Sequence, residues 1–149
     1  MELDFNIQGL DRLEEQLVDL GGEVGFKSLR FAARKSMAPV LDDAKANARV
    51  DTGDMKDSLS IRTRRGKSGD TVVTASVGSF KRSVKNQDGS KRKISKQHHK
   101  VMAQEYGVRN IPAQPFLRPA LDKNAAVVLG IFRTELSKAI ARAIKRAGK

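Results

Sequence analysis

Three of the chain's four prolines fall within eight residues, in the run Pro112-Ala113-Gln114-Pro115-Phe116-Leu117-Arg118-Pro119. Each proline holds φ near about −65° and offers no N–H. The residue before each is pushed toward extended backbone. The run therefore predicts a stiff, extended connector that carries Phe116 and Leu117 and ends where Pro119 can open a helix. A surface linker has no need of a Phe-Leu pair. The run reads either as a strap pinned to a core or to a neighbouring subunit, or as a plain rigid loop ahead of a helix.

The chain around this strap has 149 residues, enough for one domain that folds without disulfide or metal. The whole of 1–149 is read as one α+β domain. There is no cysteine, which removes disulfide frameworks, thiolate metal sites and cysteine nucleophiles together. The first residues are acidic (Glu2, Asp4) where an export signal is basic, and no apolar run approaches the length of a membrane span. The net charge of +12 is unevenly spread: residues 1–60 carry −4, residues 61–100 carry +10 and residues 101–149 carry +6. Such a chain attracts polyanions through its middle and can attract copies of itself head to tail.

Apolar periodicity gives the elements. Leu3, Phe5 and Ile7 alternate with polar residues and predict a short strand. Leu10, Leu13, Leu17 and Leu20 mark one helix, which Gly21-Gly22 breaks. A longer helix is predicted over 26–48, buried through Phe26, Leu29, Ala33, Met37, Val40, Leu41 and Ala44, with a kink or one-turn interruption at Pro39. Asp51 or Thr52 is expected to cap a short helix running to about Ser58. Residues 59–64 and 71–77 read as an antiparallel hairpin around a loop at 65–70. Residues 79–100 hold 8 Lys/Arg, one acid and few apolar side chains, and are expected to be a long, mobile basic loop. A final helix over 119–146 has the stripe Leu121, Val128, Leu129, Phe132, Leu136, Ile140 and Ile144, with Gly130 offering a close helix crossing.

Catalytic material is sparse. His98 and His99 are adjacent in the basic segment, and no further His or Cys can complete a zinc site with them. Glu105-Tyr106 is a weak acid/base signal. Gly66 and Gly69 flank Lys67-Ser68 at the wrong spacing for a phosphate-binding loop. No cofactor is expected. The basic residues Arg62, Arg64, Arg65, Lys81, Arg82, Lys91, Arg92, Lys93 and Lys96 are candidates for contact with DNA or with an acidic partner. With Phe80 the sole aromatic among them, base stacking is unsupported and DNA contact would be sequence-blind.

Two segments together carry a family resemblance. Val50-Asp51-Thr52-Gly53-Asp54-Met55-Lys56-Asp57-Ser58-Leu59-Ser60-Ile61 resembles the P-V-x-T-G-x-L-x-x-S-I block of head–tail joining proteins of long-tailed bacteriophages, the tail-completion or neck proteins of lambda-like phages. Glu105-Tyr106-Gly107 followed by 112–121 resembles that family's E-[FY]-G-T…P-A-x-P-F-L-R-P-A block. Val108 stands in place of the second block's threonine, and Val50-Asp51 in place of the first block's proline.

The resemblance implies an α+β subunit, with an antiparallel sheet packed against two long helices. It also implies a ring, sixfold in such proteins, between the head connector and the tail, and no enzymatic activity. Thr52, Gly53, Glu105, Tyr106, Gly107, Pro115, Phe116, Leu117, Arg118 and Pro119 are then the expected subunit and partner interface. The partners are further copies of the chain, the connector or stopper, the tail terminator and the tail tube. The location is the virion neck or tail, and the host cytoplasm during assembly. Transient contact with packaged DNA is the alternative use of the basic segment, and a non-specific DNA-binding protein acting through 61–100 is the competing function. An acidic surface on an adjacent ring is the preferred partner of that segment, because a strongly basic channel hinders DNA transit.

Overall fold

A computed structural model describes residues 10–66 and 73–148. The strand expected at 3–7, the loop residues 67–70 and the first two residues of the 71–77 strand lie outside them.

Helix α1 (Leu10–Asp19) leans Leu13 and Leu17 on the core and leaves Asp11, Glu14, Glu15 and Asp19 exposed. The expected 26–48 helix is two helices, α2 (Gly22–Ser36) and α3 (Ala38–Asn47), divided at Met37. Pro39 lies in the first turn of α3, where its missing N–H has no helical acceptor to serve. The buried face runs on across the break through Ala33, Met37, Val40 and Ala44. α2 begins four residues earlier than the sequence suggests, and Gly25 is buried under α1.

Helix α4 (Asp54–Ser58) begins at Gly53, whose φ of +81° is in the left-handed region. Neither Asp51 nor Thr52 caps it, which corrects that expectation. Strands β1 (Leu59–Arg65) and β2 (Val73–Ser79) pair antiparallel, with Leu59 opposite Ser79. Within the segment expected to be a mobile basic loop, β3 (Arg82–Lys85) and β4 (Lys91–Ile94) form a second antiparallel ribbon, and Ile94 is buried. The fold is α+β as expected, with the strands among the described residues in two two-stranded sheets. His98 and His99 open helix α5 (His98–Tyr106) instead of lying in a loop.

Helix α6 (Leu117–Ala147) has 31 residues, about 46 Å at ~1.5 Å per residue. It starts two residues before Pro119 and packs along α2 and α3. From the buried Phe116 at its N-cap, a stripe advances four residues at a time through the buried Ala120, Leu136 and Ile140, with Val128 and Phe132 half-buried, and Glu135 and Ala139 are buried beside it. Four residues overshoot one turn by roughly 40°, so the stripe winds round the helix. At its N-terminal end it meets a core of Met37, Val40, Ala44, Met55, Leu59 and Val101, and toward its C-terminal end a second core around Ala32. Leu121 and Ile144, expected in the stripe, have rotated out and are 45% and 47% exposed. No described residue comes within 4 Å of a Cβ at Gly130, so the expected close crossing is not seen among the described residues.

A buried hydroxyl relay joins the layers. The Ser58 hydroxyl donates to the Met55 carbonyl at 2.7 Å, the Ser79 hydroxyl lies 2.8 Å from it, and the Gln97 N–H donates to Ser79 at 2.6 Å. One proton per hydroxyl suffices if Ser79 donates to Ser58. The relay ties α4, β2 and the approach to α5 at one point.

Candidate functional site

The proline strap is folded back onto its own subunit. Phe116 is 1% exposed and sits among Val40, Leu59 and Val101. Of the two readings of the strap, core or neighbour's groove, the core receives this ring. What fixes the strap is Glu105, on the last turn of α5. Its carboxylate accepts the N–H groups of Phe116, Leu117 and Arg118 at 2.9, 2.9 and 3.1 Å. These are amides at the start of α6 that have no acceptor within the helix. A buried carboxylate so placed also meets the positive end of the α6 dipole. Burial pushes the Glu105 carboxyl upward, but the three amide donors and the Arg118 charge outweigh it and hold it below its ordinary value.

Gly107 makes the return possible. Its φ is +77°, and a Cβ there would lie 2.9 Å from the Ala113 nitrogen and 3.0 Å from the Ile111 oxygen. Val108 and Ile111 close a tight turn by exchanging backbone bonds of 3.0 and 2.8 Å. The Gln114 N–H then donates to the Gln104 carbonyl at 2.8 Å. The elements of Glu-Tyr-Gly…Pro-Ala-Gln-Pro-Phe are thus joined as one knot of backbone and carboxylate.

The Asp51-Thr52-Gly53 block lies against this knot. Buried Gln104 accepts from the Arg49 N–H at 3.1 Å and donates to the Asn47 carbonyl at 3.2 Å. Lys100 reaches Asp51 at 3.8 Å. Arg49, Asp51, Thr52, Gly53, Lys100 and Ile111 line an open groove of about 270 Å³. The two sequence blocks, some fifty residues apart, therefore share one surface. On and beside it are large apolar side chains left in solvent: Val50 at 67%, Tyr106 at 60%, Val108 at 52% and Ile111 at 43% exposure. The Arg118 guanidinium lies 5.9 Å from the Tyr106 ring centre.

The expected interface residues divide by exposure. Thr52, Tyr106, Pro115, Arg118 and Pro119 are exposed, Gly53, Gly107 and Leu117 are intermediate, and Glu105 and Phe116 are buried. The brace formed by Glu105 and the clamp formed by Gln104 act across 11 and 55 residues of sequence and leave no periodic pattern in it. The one available signal for the brace was a lone acid a dozen residues ahead of a helix start.

The expected anion-contact residues also divide. Arg92 reaches both Asp54 and Asp57 on α4, the latter at 2.8 Å. Arg82 donates to the Leu59 carbonyl at 3.1 Å. Arg62 lies 4.1 Å from the centre of the Phe80 ring, and Arg65 4.3 Å from that of Phe26. Arg64, Lys81, Lys91, Lys93 and Lys96 are exposed and have no charged partner among the described residues. Four of the basic residues thus serve the fold.

Comparison with protein families matches residues 11–107 to the family described as "Bacteriophage HK97-gp10, putative tail-component". The match runs from α1 to Gly107 and so contains the first block and the Glu-Tyr-Gly of the second. No curated protein and no solved structure matches the chain.

Proposed function

Because the chain belongs to the HK97-gp10-like family of bacteriophage tail components, we propose that it is a structural protein of the virion neck, completing the tail and joining it to the head connector as a ring of identical subunits. The observation that carries this reading is the braced apolar edge. Val50, Tyr106, Val108 and Ile111 stay exposed on a backbone fixed by Glu105, Gly107 and Gln104. An apolar edge held rigid before contact loses little ordering entropy on assembly. Exposed aromatic and aliphatic side chains with a nearby arginine are the composition of an interface centre.

In this reading the edge meets a neighbouring copy in a sixfold ring, through Thr52, Tyr106, Pro115, Arg118 and Pro119. Glu105 and Phe116 act from within, by setting the edge's shape. The faces of the ring meet the connector or stopper on one side and the terminator or tail tube on the other. The role is architectural and asks for no catalytic group. The chain assembles in the host cytoplasm and ends in the virion.

The test is Y106D/I111D in a phage whose own copy has been deleted. Both side chains are exposed, so the variant is expected to fold with an unchanged circular dichroism spectrum and to leave heads and tails unjoined. Normal joining by the folded variant would refute the edge as the interface.

A further inference from the structure

The β3–β4 ribbon sorts its cations by face. Cross-strand partners in an antiparallel pair share a side. Arg82, Val84, Arg92 and Ile94 therefore form one face, and Ser83, Lys85, Lys91 and Lys93 the other. The first face belongs to the fold: Ile94 is buried, Arg92 is held by Asp54 and Asp57, and Arg82 by the Leu59 carbonyl. The second face is exposed at all four positions and carries no apolar side chain. Its lysines have no acidic partner among the described residues. Lys85 and Lys91 are direct register partners, and like charges placed opposite each other weaken an antiparallel pair. The ribbon is nonetheless well made, since the turn between its strands is closed by Asn86 N–H to the Ser90 carbonyl at 2.9 Å and by Asp88 accepting from Ser90.

We propose that this outer face is a docking strip for the phosphate backbone of duplex DNA, bound without regard to sequence. A repulsive lysine pair on an ordered ribbon gains its counter-charge from an external polyanion. Lysine is a point charge that neutralises phosphate without fixing a bidentate geometry, which suits contact that must not select a sequence. A protein partner is the weaker fit, because lysine is depleted at protein interfaces and this face has no aromatic or aliphatic anchor. A membrane surface finds nothing apolar to insert. Single strands find no ring to stack on. The objection that a basic channel traps DNA also weakens, since the arginines of the segment are largely engaged within the subunit. The proposal stands apart from the neck reading, because binding to DNA is measured on the isolated chain.

The experiment is fluorescence anisotropy of a random-sequence 30-bp DNA duplex with the full chain, from low to physiological salt. The comparison is K85Q/K91Q/K93Q against R34Q/R133Q/K145Q, which removes equal charge from exposed helix positions. Each phosphate contact contributes about 0.9 to the slope of log affinity on log salt. The ribbon variant should lower that slope by about 2.7 and weaken binding at least about tenfold, with thermal stability equal to or above the parent's. The helix variant should lose distinctly less, and duplexes of different sequence should bind alike. Equal losses in the two variants, or an unchanged slope in the ribbon variant, would overturn the proposal. So would a ribbon variant that binds DNA like the parent but no longer joins heads to tails; that result assigns the strip to a protein.

Discussion

At Glu105 one carboxylate satisfies three amides that the start of α6 would otherwise leave to water. Its lowered carboxyl fixes the sign of a pH dependence. The folded form holds the proton less tightly than the unfolded form, so the stabilisation is fully present above the unfolded value and is lost as pH falls through the folded one. E105Q should cost about 1.5–3 kcal/mol near neutral pH, since a neutral amide oxygen replaces charge-assisted bonds. It should also flatten the loss of stability on acidification, as read by urea unfolding at several pH values. A variant with the parent's pH profile would remove Glu105 from the brace. G107A should destabilise by more than ~1 kcal/mol, because its Cβ meets backbone at 2.9 Å and the positive φ disfavours any side chain. The sequence marked Glu105 as part of a motif but not as a cap. A carboxylate reaching amides eleven to thirteen residues on leaves no periodic trace, so only the folded path of Gly107 and the Val108–Ile111 turn brings them together.

At the scale of elements, the second ribbon is where composition misled. Its many Lys/Arg suggested a chain with too little to bury, yet Val84, Arg92 and Ile94 alternate inward, Arg92 docks on α4, and the exposed Arg82 on the same face reaches back to the Leu59 carbonyl of β1. Net charge counted over the segment hides a period-two pattern in which arginine serves as an inward residue. R92Q should loosen this dock. Because the three side chains are about 40% exposed, the cost to global stability is expected to be below about 1 kcal/mol. Amide exchange across 82–94 should nevertheless quicken well beyond that of α2 and α6. Exchange unchanged across the ribbon would show that Ile94 and the strand pairing hold it alone. The α2–α3 division was legible, because Pro39 admits few conformations. The α6 stripe was legible in kind but not at its ends, where its slow winding carries Leu121 and Ile144 out of the core.

At the scale of the whole molecule, the family was readable from two short blocks whose meaning is now partly physical. Glycine, glutamate and prolines in them build one knot, and that knot holds an exposed apolar edge. Charge is divided across the same body: α1 turns acids outward, while the second ribbon turns lysines outward. A subunit of this kind is suited to a ring with a rigid seam and a cationic strip. The most direct measurement of the central claim is electron microscopy of particles assembled without this chain. Filled heads and separate, unjoined tails are the expected result, with joining restored when the chain is supplied. Complete, infectious particles lacking it would contradict the account.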